Sequence, residues 1–333
     1  MKDNYGRTIE YLRISVTDRC NLRCIHCMPE GGVDLMQHED ILTYEEIARV
    51  AAEAAKLGVR KIRLTGGEPL VRPQLHRLVA LLKEIPGIET VVLTTNAVLL
   101  KEQLPDLLAA GLDGANISLN AMDRESYRAF TGRDLFDPAM EGLHAALDAP
   151  DLRVKINCVP TQGREEQLLQ LAALARDTRA CVRFIELMPI GMGARLKGVS
   201  KDSLLVLLQD HFGQLYRSTA GSQIQTLPER SRSAAGPAEY VRFPGFQSDI
   251  GFISAVSHRF CKDCNRIRLT ADGKLKSCLA FPAGEDVKGI LRNGGTQQDV
   301  SEAIVRCIQN KPEHHQFGIA QTEEQRLMSQ IGG

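Results

Sequence analysis

The chain has 333 residues, of which 43% are hydrophobic and 25% charged, and its 41 basic residues balance 41 acidic ones. That length allows one large or two medium domains with a hydrophobic core, and the composition is typical of a globular protein. A net charge of zero gives no global sign of nucleic-acid or membrane binding. The first residues form no apolar leader and no run reaches the length of a membrane span, so we expect a cytoplasmic protein.

From residue 11 to residue 188, strand-like apolar runs alternate with amphipathic helical segments. The six strand-like runs are Tyr11–Thr17, Lys61–Gly66, Thr90–Asn96, Gly114–Asn120, Arg153–Val159 and Cys181–Met188. The helical segment Thr43–Gly58 begins with a capping pair, Thr43 and Glu46, and Gln74–Ile85 and Glu165–Arg176 show the same period. Six β-then-α units predict a parallel sheet with right-handed crossovers. Either a partial barrel or an open doubly wound sheet satisfies this pattern.

The pattern changes around Pro189–Gly198, whose glycines indicate a flexible connection. A helix-like segment, Asp202–His211, is followed by a polar stretch, Ser218–Pro237, which we interpret as a surface loop. Short strands and a closing helix follow, at Tyr240–Phe243, Gly251–Ala255, Arg266–Thr270, Lys274–Ser277 and Gln298–Gln309. The turn residues Ala271-Asp272-Gly273 predict a hairpin. We place the domain boundary near residue 190, with one domain over 1–190 and a second over 191–333.

Three cysteines, Cys20, Cys24 and Cys27, lie within eight residues after the first strand. Six of the nine cysteines in the chain fall into two tight groups, which indicates metal binding in a reducing compartment and not a disulfide framework. A structural zinc site and an ordinary [4Fe–4S] cluster each take four ligands, so three thiolates around four irons leave one iron open for chemistry. His26 is poorly placed to complete the set. The spacing alone leaves a zinc loop or a redox-active thiol pair open.

The C-x3-C-x2-C spacing after a first strand resembles the radical S-adenosylmethionine (SAM) superfamily, in which SAM binds the open iron and its reduction releases a 5′-deoxyadenosyl radical. The resemblance favours an α/β fold with a partial (β/α)6 TIM-type barrel and a smaller C-terminal α+β domain. It implies SAM contacts at Gly67 and Glu68, in the Gly-Gly-Glu segment, and at Ser118 and Met188. His26 stands where an aromatic residue usually contacts SAM. From the residues alone, a tight turn explains the Gly-Gly-Glu segment equally well, and Ser118 and Met188 could be a core hydroxyl and a core filler.

A second group of three thiols, Cys261, Cys264 and Cys278, lies in the C-terminal half. His258 is close enough in sequence to complete a zinc site, so the spacing again leaves zinc open. The surrounding segment, 251–279, closely resembles the GTP 3′,8-cyclases, the radical SAM family that begins molybdenum cofactor biosynthesis. The resemblance covers essentially the whole chain.

That resemblance implies a second [4Fe–4S] cluster, held by three cysteines, whose free iron binds the guanine of GTP. The product would be (8S)-3′,8-cyclo-7,8-dihydroguanosine 5′-triphosphate. The implied GTP contacts are Arg13, Arg63, Thr94, Lys155, Arg266 and Arg268. The implied catalytic residues are the pair Arg266 and Arg268, together with the C-terminal Gly332-Gly333, which would reach into the barrel.

The basic residues of the strands support the same reading independently. Arg266 and Arg268 alternate along one strand and share a face, where two guanidinium groups suit a phosphate or a purine edge. Arg13, Arg63 and Lys155 lie in otherwise apolar strands, and we add Arg183 because it does too. For any one of these cations, a solvent-exposed strand end is the plainer explanation. Four of them on four strands favour a triphosphate cradle, because buried unpaired cations are costly.

The resemblance further implies an electron donor of the flavodoxin or ferredoxin type and a downstream cyclic pyranopterin monophosphate synthase, and it leaves a homodimer open. Besides His26, two further departures from the family pattern are Asn120, where Asp is usual, and Ala97, where Gly is usual. His314-His315 is interpreted as an exposed pair. Two alternatives are a radical SAM maturase acting on a peptide and a nonenzymatic zinc- or iron-binding sensor.

Overall fold

The computed structural model describes residues 1–217, 237–317, 324 and 326–332. Twelve strands lie in this part of the chain. In chain order they are β1 (Tyr11–Ser15), β2 (Lys61–Thr65), β3 (Thr90–Thr95), β4 (Gly114–Ser118), β5 (Arg153–Cys158), β6 (Cys181–Ile185), β7 (Tyr216–Arg217), β8 (Glu239–Arg242), β9 (Ile250–Ile253), β10 (Arg266–Leu269), β11 (Lys274–Lys276) and β12 (Glu285–Asp286). All twelve belong to one sheet, in the order β12-β11-β10-β1-β2-β3-β4-β5-β6-β9-β8-β7.

The middle of the sheet is parallel. Strands β1 to β6 pair in sequence, β10 pairs parallel with β1, and β9 pairs parallel with β6. Antiparallel strands complete both edges, with β11 and β12 at one and β8 and β7 at the other. Within the described residues no pairing joins β12 to β7, so the sheet is not closed.

Ten helices accompany the sheet in the described part of the chain. They are α1 (Tyr44–Lys56), α2 (Leu75–Lys83), α3 (Leu100–Ala109), α4 (Arg124–Thr131), α5 (Phe136–Asp148), α6 (Glu165–Asp177), α7 (Lys201–Phe212), α8 (Val287–Arg292), α9 (Gln297–Gln309) and α10 (Met328–Ile331). The predicted capping pair is present at α1, where Glu46 N donates to Thr43 Oγ1 over 3.1 Å and Thr43 N donates to Glu46 Oε2 over 2.8 Å. No helix in these ranges is long and apolar enough to cross a membrane.

Along the central strands, residues that face the hydrophobic core alternate with residues that line a cavity. On β1, Leu12 and Ile14 are fully buried in the main hydrophobic core together with apolar residues of the surrounding helices, whereas Tyr11 and Arg13 line a cavity. The other central strands alternate in the same way.

The parallel α/β fold predicted from the alternating pattern is confirmed. The hairpin prediction is also confirmed, because β10 and β11 are antiparallel and Gly273 in the turn has φ +77°. The C-terminal half contributes β9 and β10 to the same sheet as β1 to β6, so strands on both sides of residue 190 share one layer. The domain boundary therefore stays a prediction. The polar stretch 218–236 lies outside the described residues.

Candidate functional site

One cavity lies along the parallel strands and extends to the loops at their carboxyl ends. Both groups of three cysteines line it, and so do alternate residues of β1, β2, β5, β6 and β10. The carboxyl ends of parallel strands are where α/β proteins and barrels place their active sites. Among the described residues eight Lys and Arg side chains line the cavity, against two Glu side chains. Its surface therefore suits an anion.

The first cysteine group lies on a loop that turns back on itself after β1. Cys27 N donates to Cys24 O over 2.9 Å, and Arg23 N donates to Thr131 O at the end of α4 over 2.7 Å. Burial raises the pKa of Cys20 to about 11 and that of Cys27 to about 12, and it raises the pKa of Cys24 as well. Three partly buried thiols that resist ionisation on their own suit a cationic iron centre, whose charge stabilises thiolates.

The second cysteine group comes from two segments of the C-terminal half. Cys261 and Cys264 flank a short turn before β10, and Cys278 follows β11, the antiparallel partner of β10. His258, the possible fourth zinc ligand, is exposed, and its Nδ1 lies 3.2 Å from Ser257 Oγ.

Among the described residues, no set of three or more His, Cys, Asp or Glu side chains could hold a single metal ion. Each cysteine group offers three thiols to one cavity, which fits a cluster that takes three cysteines and leaves one iron open.

The Gly-Gly-Glu segment after β2 packs directly against the segment that precedes Cys20. A Cβ on Gly67 would lie 2.3 Å from Arg19 O, and Glu68 N donates to Arg19 O over 2.8 Å. The glycine thus allows the close approach of two backbone segments. It places the Glu68 carboxyl in the same cavity as the first cysteine group.

The Glu68 side chain is almost fully buried. Its Oε1 accepts from Thr95 Oγ1 over 2.7 Å and from Leu70 N over 3.0 Å, and its Oε2 accepts from Asn96 N over 2.7 Å. Burial nevertheless raises its pKa to about 7. A cationic ligand group at this point would favour the carboxylate and lower that pKa.

The other residues predicted to contact SAM also line the cavity: His26, Ser118 at the end of β4, and Met188 after β6. The centre of the His26 ring lies 5.3 Å from that of the Phe130 ring. The guanidinium carbon of Arg164 lies 4.5 Å from the same Phe130 ring centre. Burial lowers the pKa of His26 to about 4, so its imidazole is neutral at physiological pH and presents an aromatic face. Its Nδ1 is buried without a hydrogen-bond partner in the structure.

Register brings basic residues from distant parts of the sequence into rows across three strands. Arg13 on β1 is paired with Arg268 on β10 and with Arg63 on β2. Two residues earlier on β1, Tyr11 is paired with Arg266 of β10 and with residue 61 of β2.

The Tyr11 ring lies at the centre of this cationic surface. The Nζ of Lys61 lies 5.5 Å from its ring centre, and the guanidinium carbons of Arg63 and Arg266 lie 5.6 Å and 5.8 Å from it. The Nε atoms of Arg63 and Arg266 are buried without hydrogen-bond partners in the structure, and so is Thr94 Oγ1. Burial and the neighbouring Arg266 lower the pKa of Arg268 to about 10. Among the described residues no carboxylate forms an ion pair with Arg63, Arg266 or Arg268, and an anionic ligand would supply the missing negative charge.

Lys155 and Arg183 extend the cationic surface to β5 and β6. Arg183 Nη2 donates to Asn116 Oδ1 over 2.7 Å and to Asn157 Oδ1 over 2.6 Å, so neutral amides hold this guanidinium. Burial lowers the pKa of Lys155 to about 8, with a further contribution from Arg183. The cations predicted from the sequence thus line one cavity.

The C-terminal tail enters the same region. Gly332 is buried, with φ +75°, and its carbonyl accepts from Arg268 Nη1 over 3.1 Å. A Cβ at this position would lie 2.8 Å from Ser15 Cβ and 2.9 Å from Thr65 Oγ1, so a glycine is needed. Gly333 lies outside the described residues.

The cavity residues that the sequence analysis missed include Tyr11, Lys61, Lys311 and His315. The first two alternate with Arg13 and Arg63 on β1 and β2, and this period-two signal could have found them. The interpretation of His315 as exposed is wrong, because it is 8% exposed and its ring packs 4.4 Å from that of Phe317. Lys311 and His315 lie in an irregular segment after α9, where no periodicity predicts burial.

Comparison with known proteins agrees with this arrangement. Residues 14–175 match the family model of the radical SAM superfamily, and residues 180–317 match the model described as Molybdenum Cofactor Synthesis C. Similar curated proteins include GTP 3′,8-cyclases from Moorella thermoacetica (43% identical), Heliobacterium modesticaldum (42%) and Clostridium perfringens (40%), each over 100% of both chains.

Among solved structures, SuiB of Streptococcus suis bound to its precursor peptide SuiA superposes with a TM-score of 0.60. It is 15% identical, over 83% of this chain and 61% of that chain. At this identity the likeness shows the fold alone, and it agrees with the parallel sheet described above.

Proposed function

Because the chain belongs to the GTP 3′,8-cyclase family of the radical SAM superfamily, we propose that its residues hold two [4Fe–4S] clusters, SAM and GTP in one cavity. It is a radical SAM enzyme of the first step of molybdenum cofactor biosynthesis. The proposed reaction converts GTP to (8S)-3′,8-cyclo-7,8-dihydroguanosine 5′-triphosphate. The observation that carries the proposal is that two groups of three thiols and eight basic side chains line the same cavity.

The first group would hold the SAM-binding cluster. Cys20, Cys24 and Cys27 are its proposed ligands, and the chemistry that the bound cluster and SAM would supply there is formation of a 5′-deoxyadenosyl radical. Glu68 lies in the same cavity with its carboxyl oxygens already fixed by three hydrogen bonds, which suits it to accept from the ammonium of SAM. The neutral, buried His26 ring would pack against the cofactor, and Gly67, Ser118 and Met188 would complete the pocket.

The second group would hold the auxiliary cluster and orient the guanine. Cys261, Cys264 and Cys278 are the proposed ligands, and the cluster's open iron would bind the purine. Arg266 and Arg268 both lie on β10, which begins two residues after Cys264, so their guanidinium groups would be near a ligand bound there. We assign them to the base and sugar end of GTP.

The rows of cations would hold the triphosphate. Arg13 and Arg63 are paired across β1 and β2, and Lys155 and Arg183 continue the surface on β5 and β6. Thr94 adds a buried hydroxyl that has no hydrogen-bond partner in the structure. Fixing both ends of GTP places its ribose between them, and such positioning is the protein's main contribution to a reaction whose radical comes from the cofactor.

The tail would act at the reacting end of the substrate. Arg268 already donates to the carbonyl of Gly332, so the position of the tail and that of the guanidinium depend on each other. We propose Gly332 and Gly333 as catalytic elements for this reason. The proposal also includes a cytoplasmic location, a flavodoxin- or ferredoxin-type electron donor, and a cyclic pyranopterin monophosphate synthase that takes the product. A two-domain division near residue 190 and a homodimer remain parts of the proposal.

An anaerobic assay of the reconstituted protein with dithionite, SAM and GTP tests the proposal. Mass spectrometry should detect 5′-deoxyadenosine together with an isomer of GTP, and the protein should contain about eight irons per chain. 5′-Deoxyadenosine without the isomer, from protein that retains both clusters, would assign a different substrate. Zinc in place of iron, with neither product, would contradict the proposal. Family membership sets aside the peptide-maturase and metal-sensor alternatives.

A further inference from the structure

Lys311 is a buried lysine that ties together the two strands of the second cysteine group. Its Nζ donates to Arg266 O over 2.9 Å and to Ser277 O over 2.6 Å, and the side chain is almost fully buried. Arg266 begins β10, two residues after Cys264, and Ser277 directly precedes Cys278. Two of the three donors of this ammonium are therefore used on the backbone beside Cys264 and Cys278.

A second buried cation fixes the segment that carries Lys311. Arg7 donates from Nη1 to Cys261 O over 2.9 Å and from Nη2 to Pro312 O over 2.7 Å. Its Nε is paired with Asp3 Oδ2 over 2.5 Å, and both side chains are buried. Because Arg7 holds the chain on both sides of the cysteine group, Lys311 cannot swing out of its position without breaking several hydrogen bonds.

The ammonium of Lys311 places a buried positive charge at the second cysteine group. Lys311 lines the same cavity as Cys261, Cys264 and Cys278, and each of its two carbonyl acceptors lies within two residues of a proposed cluster ligand. Arg266, whose carbonyl is one of these acceptors, adds a second cation at the start of β10. A cluster bound at this group would therefore lie close to a fixed cation.

We propose that Lys311 is a positioning residue of the auxiliary cluster: its ammonium holds the Cys264 and Cys278 segments together and raises the cluster's reduction potential. The inference rests on the proposed function, since it takes the second cluster as given. Reduction adds one electron, supplied by dithionite in the test below, and no bond forms or breaks. A cation fixed beside the cluster ligands stabilises the added negative charge, and net charge near a cluster is known to set its potential.

A redox titration followed by electron paramagnetic resonance tests the role of Lys311. The signal of the auxiliary cluster is identified first in a full-length variant with Cys20, Cys24 and Cys27 changed to Ala, because this variant lacks the ligands of the SAM-binding cluster. In Lys311→Met we expect the ratio of reduced to oxidised auxiliary cluster at a fixed potential to fall about tenfold, which is about 59 mV for a one-electron couple. The signal of the SAM-binding cluster should keep its potential. Lys311→Arg, which keeps the charge, should recover most of the shift.

Lys262 provides a matched control. It lies between Cys261 and Cys264 in sequence, yet its side chain is exposed, so Lys262→Met removes the same charge without a buried contact. If Lys262→Met shifts the potential as much as Lys311→Met, or if Lys311→Arg behaves like Lys311→Met, the proposal is wrong. An unchanged potential in Lys311→Met with full iron content would also overturn it.

Two further measurements keep the test decisive. If Lys311→Met does not fold, Lys311→Gln keeps hydrogen-bond donors for the two carbonyls without the charge and must show the lowered ratio. Iron in the wild-type protein is counted first. About four irons per chain in place of about eight would contradict the proposed second cluster itself, whereas eight irons with an unshifted Lys311→Met would contradict only the role of Lys311.

Discussion

The proposed contact between Lys155 and GTP would make GTP affinity depend on pH. Burial and the nearby Arg183 lower the pKa of Lys155 to about 8. At pH 7 about nine-tenths of the free protein therefore carries this ammonium, and at pH 9 about one-tenth does. A bound triphosphate favours the charged form, so its affinity is fully present below pH 8 and is lost as the pH rises through that value. The expected increase in Kd from pH 7 to pH 9 is about tenfold.

The assay is anaerobic calorimetry of GTP binding to the reconstituted protein at both pH values. Lys155→Arg is the matched control, because arginine stays charged throughout this range. Titration of the purine and the phosphates is common to both proteins, so the difference between their pH dependences belongs to Lys155. Beyond the change common to both proteins, we expect Kd to rise about tenfold from pH 7 to pH 9 in the wild type and less than about twofold in Lys155→Arg. Lys155 should take up a proton on binding at pH 9, and this uptake should be absent in Lys155→Arg. Equal pH dependences in the two proteins would refute the assignment.

Three further variants test the two ends of the cavity and its tail. Arg266→Ala should abolish formation of the GTP isomer while 5′-deoxyadenosine is still released, and normal cyclisation would show that this guanidinium does not position the substrate. Gly332→Ala should lower the yield of isomer per 5′-deoxyadenosine by about tenfold, because the new Cβ would overlap β1 and β2 and strain the backbone by about 1–2 kcal/mol. Gly245→Ala, which has a similar φ of +78° and open space, should leave that yield unchanged. Lys276→Met removes the buried partner of Glu324 and should destabilise the native tail by about 3 kcal/mol, measured as faster tryptic cleavage near the C-terminus. Adding Glu324→Gln should reverse part of that loss, and a double variant as sensitive as the single one would argue against the ion pair.

Local sequence signals predicted the elements of the fold well. The period of apolar residues gave the central strands, and the capping pair at Thr43 gave the start of α1 within one residue. The turn before Lys274 gave the hairpin. These signals lie within a few residues of the structure they describe, so a single sequence is sufficient to detect them.

Pairing between distant segments was not predictable in the same way. Arg13 and Arg268 are neighbours only because β10 joins the open edge of β1, and the two residues are 255 positions apart. The sequence supplied each cation but not the register that aligns them. The same limit applies to Lys311, which is isolated in an irregular segment and acquires its role only through the strands that surround it.

Ala97 shows how a resemblance and a structure complement one another. The family pattern marked this position as one where glycine is usual, but the sequence offered no reason. In the structure Ala97 has φ +67°, the left-handed region that glycine adopts without strain. Its amide donates to Thr95 Oγ1 over 3.0 Å, next to the hydroxyl's own bond to Glu68. The surrounding hydrogen bonds hold the alanine in this conformation beside the proposed SAM pocket.

The choice of neutral partners for the buried cations fits a site built for a polyanion. Arg183 is held by Asn116 and Asn157, although an aspartate in either place would stabilise the empty protein more strongly. Such a carboxylate would also compete with a phosphate for the guanidinium, and its negative charge would repel the phosphate. An amide fixes the direction of Arg183 and leaves its charge uncompensated. The protein therefore keeps unfavourable like-charge contacts in the free state, and a triphosphate bound as proposed would relieve them.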